Sequence, residues 1–217
     1  VTSNLVSPQV LLVSRSVSFL YLLAVLLCSI VDRPSMGWIF LTFFTHLTFI
    51  GEAAYFAVAA YHTFRFTRYA GYVSPTLKAE SLWTRAHYVL YSTVAVFHVV
   101  VPVVYWTVLY DPKVEVTAMS RYLNVSKHGI DFALLAVEFL LGRMIVPLAA
   151  LPWVLLALLF YVFWAWITHA ISGRWVYPFL NWDRPAGIVV GWYIGVCALV
   201  VAFFGLSYAA HRLRDRL

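Results

Sequence analysis

Charge is scarce in this chain. Of its 217 residues only 11% are Asp, Glu, Lys or Arg, while 63% are hydrophobic; soluble domains carry about a quarter charged residues. Cysteine is nearly absent. Cys28 and Cys197 are the only two; both fall in apolar runs, where they read as small fillers and carry no message about redox compartment. There is no internal repeat, no low-complexity tract, and no polar stretch long enough to form a soluble domain. Strict in–out alternation is also missing: runs such as "LPWVLLALLFYVFWAW" are apolar throughout, which excludes a membrane barrel. The net charge of +6 is spread over loops and helix ends rather than gathered on one face, which excludes nucleic-acid binding.

What is present is a series of long apolar segments. A hydrocarbon core takes roughly 20 mainly apolar residues per helical crossing, and six segments qualify: 10–31, 38–61, 88–110, 128–148, 152–171 and 187–208. Lipid tolerates only backbone whose polar groups are satisfied internally. The pattern therefore predicts an all-α, polytopic protein with six transmembrane helices in one domain over 1–217. The first segment is too long and too evenly apolar for a signal peptide, and no small-residue cleavage site follows it before Asp32. Arg65, Arg68, Lys78 and Arg85 in the longest basic loop, with Arg212, Arg214 and Arg216 in the tail, predict cytosolic termini. The host membrane is expected to be the endoplasmic reticulum or the plasma membrane.

Ionisable groups inside such spans each cost about 2.5–3.5 kcal/mol at a helix centre and face the bundle interior. Here they are Arg15, His46, Glu52, His98, Asp131, Glu138, Arg143 and His169; a purely structural reading pairs Arg143 with Glu138 or Glu52. At about 100° per residue, Thr42, Thr45, His46 and Glu52 share roughly 120° of arc on the second helix, and His128, Asp131 and Glu138 roughly 80° on the fourth. These two polar stripes are expected to face one another around a wet cavity. Both helices start from the same membrane side, as does the loop "SGRWVYPFL" over 172–180. A hydroxyl, an imidazole and an aromatic-rich loop are thus expected to meet near one membrane surface.

The residues "FLTF" at the start of the second segment, "LN" with a histidine four positions after the asparagine, a glutamate ten positions beyond that histidine, and "GRWVYPFL" occur together. In this combination the chain resembles the androgen-induced membrane protein family, which includes the androgen-dependent regulator of tissue factor pathway inhibitor. "WVYPFL" is the most specific piece. The resemblance implies an intramembrane threonine hydrolase acting on lipids in which one fatty acid is esterified to the hydroxyl of another. It implies Thr42 as nucleophile and His128 as base, and His169 matches a family histidine before the "GRW" turn. The chain departs from the family pattern at residues 125–127, and at Glu52 and Asp131, where the family has uncharged residues.

The chemistry is sound on its own terms. A threonine hydroxyl attacks an ester only when a neighbouring base takes its proton, and neutral histidine suits that task near neutral pH. Asp131, one helical turn beyond His128, is expected to orient the imidazole as a third triad member does. Asn124, Trp175 and Tyr177 are candidates for stabilising the oxyanion; His46, Glu52 and Glu138 are candidate supporting groups. Against this, a threonine in a membrane helix commonly bonds back to a carbonyl of its own turn, and a histidine at the interface commonly snorkels. The sequon at Asn124 lies too close to the membrane for glycosylation. Expected partners are a lipid ester and the bilayer, with no cofactor or metal. Two alternatives stand beside the hydrolase: a haem protein ligated by His46, His98, His128 and His169, or a lipid or proton transporter using Glu52, Asp131 and Glu138 as a relay.

Overall fold

A computed structural model of the chain describes residues 2–69, 81–111, 113 and 117–216; Lys78 of the basic loop lies outside these. Among the described residues every regular element is helical. Helix α1 spans Pro8–Asp32, where Ser7 accepts from the Val10 amide and Pro8 opens the first turn. A 3₁₀ segment, Pro34–Thr42, leads into α2, Phe44–Arg68. Helix α3, Leu82–Val104, continues as a π-turn over Tyr105–Leu109. Helix α4, Ala118–Val125, a second π-turn, Ser126–Ile130, and α5, Asp131–Leu141, follow without a gap. Helices α6, Leu151–Ser172, and α7, Ala186–Arg214, complete the chain.

Among the described residues, four helical stretches are long and apolar enough to cross a membrane: Pro8–Asp32, Leu82–Leu109, Leu148–Ser172 and Ala186–Arg214. A fifth is reached if Pro34–Thr42 and Phe44–Arg68, bent by 83°, count as one broken span. The segment expected to cross over 128–148 differs from that expectation. Its regular helix α5 has 11 residues, about 16 Å at 1.5 Å per residue. The chain leaves helical geometry from Gly142 to Pro147, while the α4 turn that lengthens it at the other end is polar, with Arg121 and Asn124.

Helix α3 lies at the centre, packed against α2, α5, α6 and α7, and α1 runs along α2. The core holds Leu22 and Val25 of α1, Phe49 and Phe56 of α2, and Phe97 of α3, with Phe204 of α7. Outward faces are apolar too: Val13 and Val17 of α1, Phe160 and Ile167 of α6, and Ile194 and Leu206 of α7 are exposed. Large apolar side chains on both faces suit helices bathed in lipid.

One buried polar network ties the bundle together. Arg15 Nη2 donates to Glu138 Oε1 at 2.6 Å and Arg15 Nε to Oε2 at 3.0 Å; their side chains are 2% and 1% exposed. Arg15 Nη1 donates to Thr63 Oγ1 at 2.6 Å, and the Tyr55 hydroxyl donates to Glu138 Oε1 at 2.8 Å. The partner of Glu138 is therefore Arg15, 123 positions away, and not Arg143, which is exposed. Just beyond, Arg214 of α7 donates to the carbonyls of Phe139 and Met144, both at 2.8 Å, satisfying groups that the end of α5 leaves open. Gly142 closes α5 against Glu138: a Cβ there would lie 2.6 Å from Glu138 Oε1.

Two outcomes follow for thermal unfolding in detergent. Arg15→Met leaves the Glu138 carboxylate buried without its cation and is expected to cost about 3–5 kcal/mol, most of which Arg15→Met/Glu138→Leu recovers. Gly142→Ala drives a methyl into the same carboxylate and lowers the unfolding temperature, whereas Gly187→Ala, with open space around its Cβ, does not.

Candidate active site

The "FLTF" residues sit at a break in the chain. Pro34 opens the 3₁₀ segment, Gly37 takes a positive φ of 50°, and Phe43 is extended (φ −80°, ψ 128°), so the direction changes before α2 begins. The break frees two carbonyls, and α6 supplies their donors: Trp164 Nε1 to Leu41 at 2.9 Å and the Tyr161 hydroxyl to Thr42 at 3.1 Å. Thr42 is 2% exposed, and its hydroxyl donates to the Ile39 carbonyl at 2.7 Å. Because of the bend, Thr42 does not share a face with Thr45, His46 and Glu52 as an unbroken helix would require.

His128 lies in the π-turn Ser126–Ile130 with φ −135° and ψ 19°. Trp106 Nε1 donates to its carbonyl at 2.8 Å, and its ring stacks on Tyr105 with centroids 3.6 Å apart. His128 Nδ1 is 3.0 Å from the Asn124 carbonyl. A carbonyl only accepts, so Nδ1 carries the proton and Nε2 of the neutral ring presents a lone pair. That lone pair meets Thr45 Oγ1 at 3.3 Å. A hydroxyl donating to a bare imidazole nitrogen, with the other nitrogen held by a fixed acceptor, is the arrangement that activates an oxygen nucleophile.

Thr45 and His128 line a cavity of about 390 Å³, together with Asp32 and Arg33 from the end of α1, Asn124 and Lys127, and Val176 and Tyr177 from the loop after α6. The sequence led to the expectation that the Thr42 hydroxyl, the His128 imidazole and the 172–180 loop would meet; His128, Val176 and Tyr177 line this cavity, and the hydroxyl beside them is that of Thr45, not Thr42. Thr45, Tyr105, Leu109 and Tyr177 also form one wall of a narrow groove of about 80 Å³, otherwise lined by residues such as Val101, Val104, Leu158 and Trp192. The hydroxyl thus stands where a polar chamber meets an apolar slot.

The remaining expected residues divide. Asn124 holds His128 through its carbonyl, and its side-chain amide donates to the Tyr105 hydroxyl at 2.5 Å. His46 stacks on Phe40, donates from Nδ1 to the Phe40 carbonyl at 2.7 Å, and accepts from Lys127 Nζ at 3.2 Å. Tyr177 accepts from the Phe44 amide at 3.0 Å, tying the aromatic loop to the first turn of α2. His169 and Trp175 stack on each other at 3.9 Å and do not line the cavity. Asp131 is not the group that orients His128, since the π-turn between them breaks the regular one-turn register. Its Oδ1 accepts from the Phe132 amide at 2.8 Å, and its Oδ2 lies near His98. Glu52 faces the same histidine, at 3.2 Å. Glu138 is held in the Arg15 network (3.0 Å to Nε), which divides the relay expected of the three carboxylates. Sequence reasoning missed Lys127 and Tyr105 as neighbours of the site; the aromatic and basic residues flanking the polar stripes were the available signal.

No curated protein and no solved structure matches the chain. The model of the FAR-17a/AIG1-like protein family matches residues 16–211, which run from within α1 to within α7 and include both sides of the cavity. The chain belongs to the FAR-17a/AIG1-like family.

Proposed function

We propose that this protein is a six-pass intramembrane lipid esterase that hydrolyses fatty acid esters of hydroxy fatty acids through an acyl-threonine, with His128 as the general base. The observation that carries the reading is the 3.3 Å contact between Thr45 Oγ1 and His128 Nε2, with His128 Nδ1 already anchored to a carbonyl. Six crossings require the stretch 118–141, kinked at His128, to serve as the fourth, entering at the cavity side and ending at the Arg15 network. The termini then share the cytosolic side, in the endoplasmic reticulum or plasma membrane.

The catalytic cycle balances simply. The threonine oxygen attacks the ester carbonyl as its proton passes to His128 Nε2. The tetrahedral intermediate expels the hydroxy fatty acid, whose alkoxide takes that proton back. Water from the cavity, deprotonated by the same nitrogen, then attacks the acyl-threonine, and the collapsing intermediate releases the second fatty acid as His128 returns the proton to the threonine oxygen. Thr45 stands in the first turn of α2, so the positive end of that helix's dipole lies beside the reacting hydroxyl, and the apolar groove behind Thr45 takes an acyl chain. A substrate of this class keeps a free carboxylate, which Lys127 and Arg33 on the cavity wall would attract.

Two hydroxyls compete for the nucleophilic role. Thr45 has the contact, whereas Thr42 has the motif, standing in "FLTF" three residues earlier with its hydroxyl turned to Ile39. The purified protein in detergent is expected to hydrolyse a branched fatty acid ester, and His128→Ala to lower kcat by about 10²–10⁴, the span of general-base catalysis. Thr45→Ala, but not Thr42→Ala, should abolish formation of the acyl-enzyme seen by intact-mass spectrometry. The reverse result moves the nucleophile to Thr42, and full activity in both variants with His128→Ala overturns the mechanism. Lys127→Met is expected to raise KM for the free acid about tenfold, the worth of one charge-assisted hydrogen bond, and to leave KM for the corresponding methyl ester unchanged.

A further inference from the structure

Below the cavity, α2, α3 and α5 each send one polar side chain to a common point. Glu52, His98 and Asp131 are 0%, 1% and 1% exposed, and each offers a ligand atom within 4.8 Å of the other two. His98 Nε2 lies 3.2 Å from Glu52 Oε2 and 3.9 Å from Asp131 Oδ2. Neither these two atoms of the first pair nor Glu52 Oε1 has a hydrogen-bond partner, although all are buried.

The tautomer makes this arrangement unusual. His98 Nδ1 is 3.0 Å from the Val94 carbonyl and so must carry the ring's proton, leaving a lone pair on Nε2. A bare imidazole nitrogen then faces two carboxylates, lone pair against lone pair, in a region sealed from water. The nearest buried arginine cannot relieve this, because Arg15 is committed to Glu138 and Thr63. Something positive must lie between the three groups. A divalent ion cancels two carboxylates, and neighbouring ligand atoms around a tetrahedral ion bound at about 2.0–2.1 Å stand roughly 3.3 Å apart; the His98–Glu52 pair already stands at 3.2 Å, and Asp131 Oδ2, at 3.9 Å from His98 Nε2, has a few tenths of an ångström to close. The outer contacts are those of a metal site as well: Nδ1–H of His98 on a backbone carbonyl, and Asp131 Oδ1 on the Phe132 amide at 2.8 Å, with Oδ2 left to bind.

We propose that Glu52, His98 and Asp131 bind a divalent transition-metal ion that cross-links α2, α3 and α5 beneath the cavity. Glu52 Oε2, His98 Nε2 and Asp131 Oδ2 supply one ligand atom each, a mixed N/O set that suits zinc, iron or manganese. None of the three residues lines the cavity, so the ion serves to fix the helices that carry Thr45 and His128 and takes no part in ester cleavage. The site stands whether or not the protein is an esterase.

The test uses the full-length protein in detergent, any affinity tag removed, stripped with a chelator and titrated with Co²⁺ and then Zn²⁺. One ion per chain is expected, with visible d–d bands of a low-symmetry N/O site and a rise in unfolding temperature. Glu52→Gln and Asp131→Asn keep the shape of the side chains and are expected to weaken Co²⁺ binding about 100-fold or more, beyond the loss of an outer-shell partner. Absence of any bands or thermal shift in the wild type overturns the proposal and leaves a proton shared among the three groups, in which case Glu52→Gln stabilises the protein. Unchanged Co²⁺ spectra in both variants overturn it as well. Should a variant fail to fold, the wild-type titration alone decides.

Discussion

The buried pair of Arg15 and Glu138 is the constraint on which the rest of the bundle depends. Glu138 lies near the end of α5, a helix too short to be placed by lipid thickness alone. It is located by a guanidinium on α1, a phenol on α2 and a glycine cap that leaves the carboxylate room. A buried ion pair is poor evidence for stability, because desolvation of both charges offsets most of the attraction. Its value here is register. Pairing is possible at one position along α5, and that position sets the height of Asp131 beside Glu52 and of His128 beside Thr45.

The π-turn at Ser126–Ile130 then converts register into chemistry. One additional residue in the turn rotates His128 away from the face occupied by Asp131. The two residues thereby serve different places: the imidazole opens to the cavity, while the carboxylate turns inward to His98. A regular helix would have kept them together and supplied a conventional triad. The carbonyl of Asn124 takes the orienting role instead, a neutral acceptor that defines the tautomer without a second buried charge near the site.

Composition and apolar segment lengths were enough to read an all-helical membrane fold, though not the number of crossings; of the two polar stripes only Thr45, His46 and His128 line the cavity, while Glu52, Asp131 and Glu138 lie elsewhere. "WVYPFL" led to the family, and the loop carrying it does line the cavity through Val176 and Tyr177. The misplacements at the site itself share an origin. Helical arithmetic assumes an unbroken 3.6-residue period, and the chain departs from it at Phe43 and at His128, the two points flanking the site. No propensity in "LTFFTH" announces a bend, because what stabilises it is distant: the donors on Tyr161 and Trp164. His98 was visible as an intramembrane histidine, but its two carboxylate neighbours come from separate helices, and only packing brings them together.

The break before α2 has a wider consequence. In hydrocarbon an unsatisfied carbonyl is expensive, so the interrupted helix exists only because α6 presents an indole and a phenol at the right height. A change that straightened the chain at Phe43 would strand those two donors, and a change at either donor would strand a carbonyl. The bend and its template are thus a single inherited unit written on two distant stretches of sequence. Natural variation in one is expected to be matched by variation in the other.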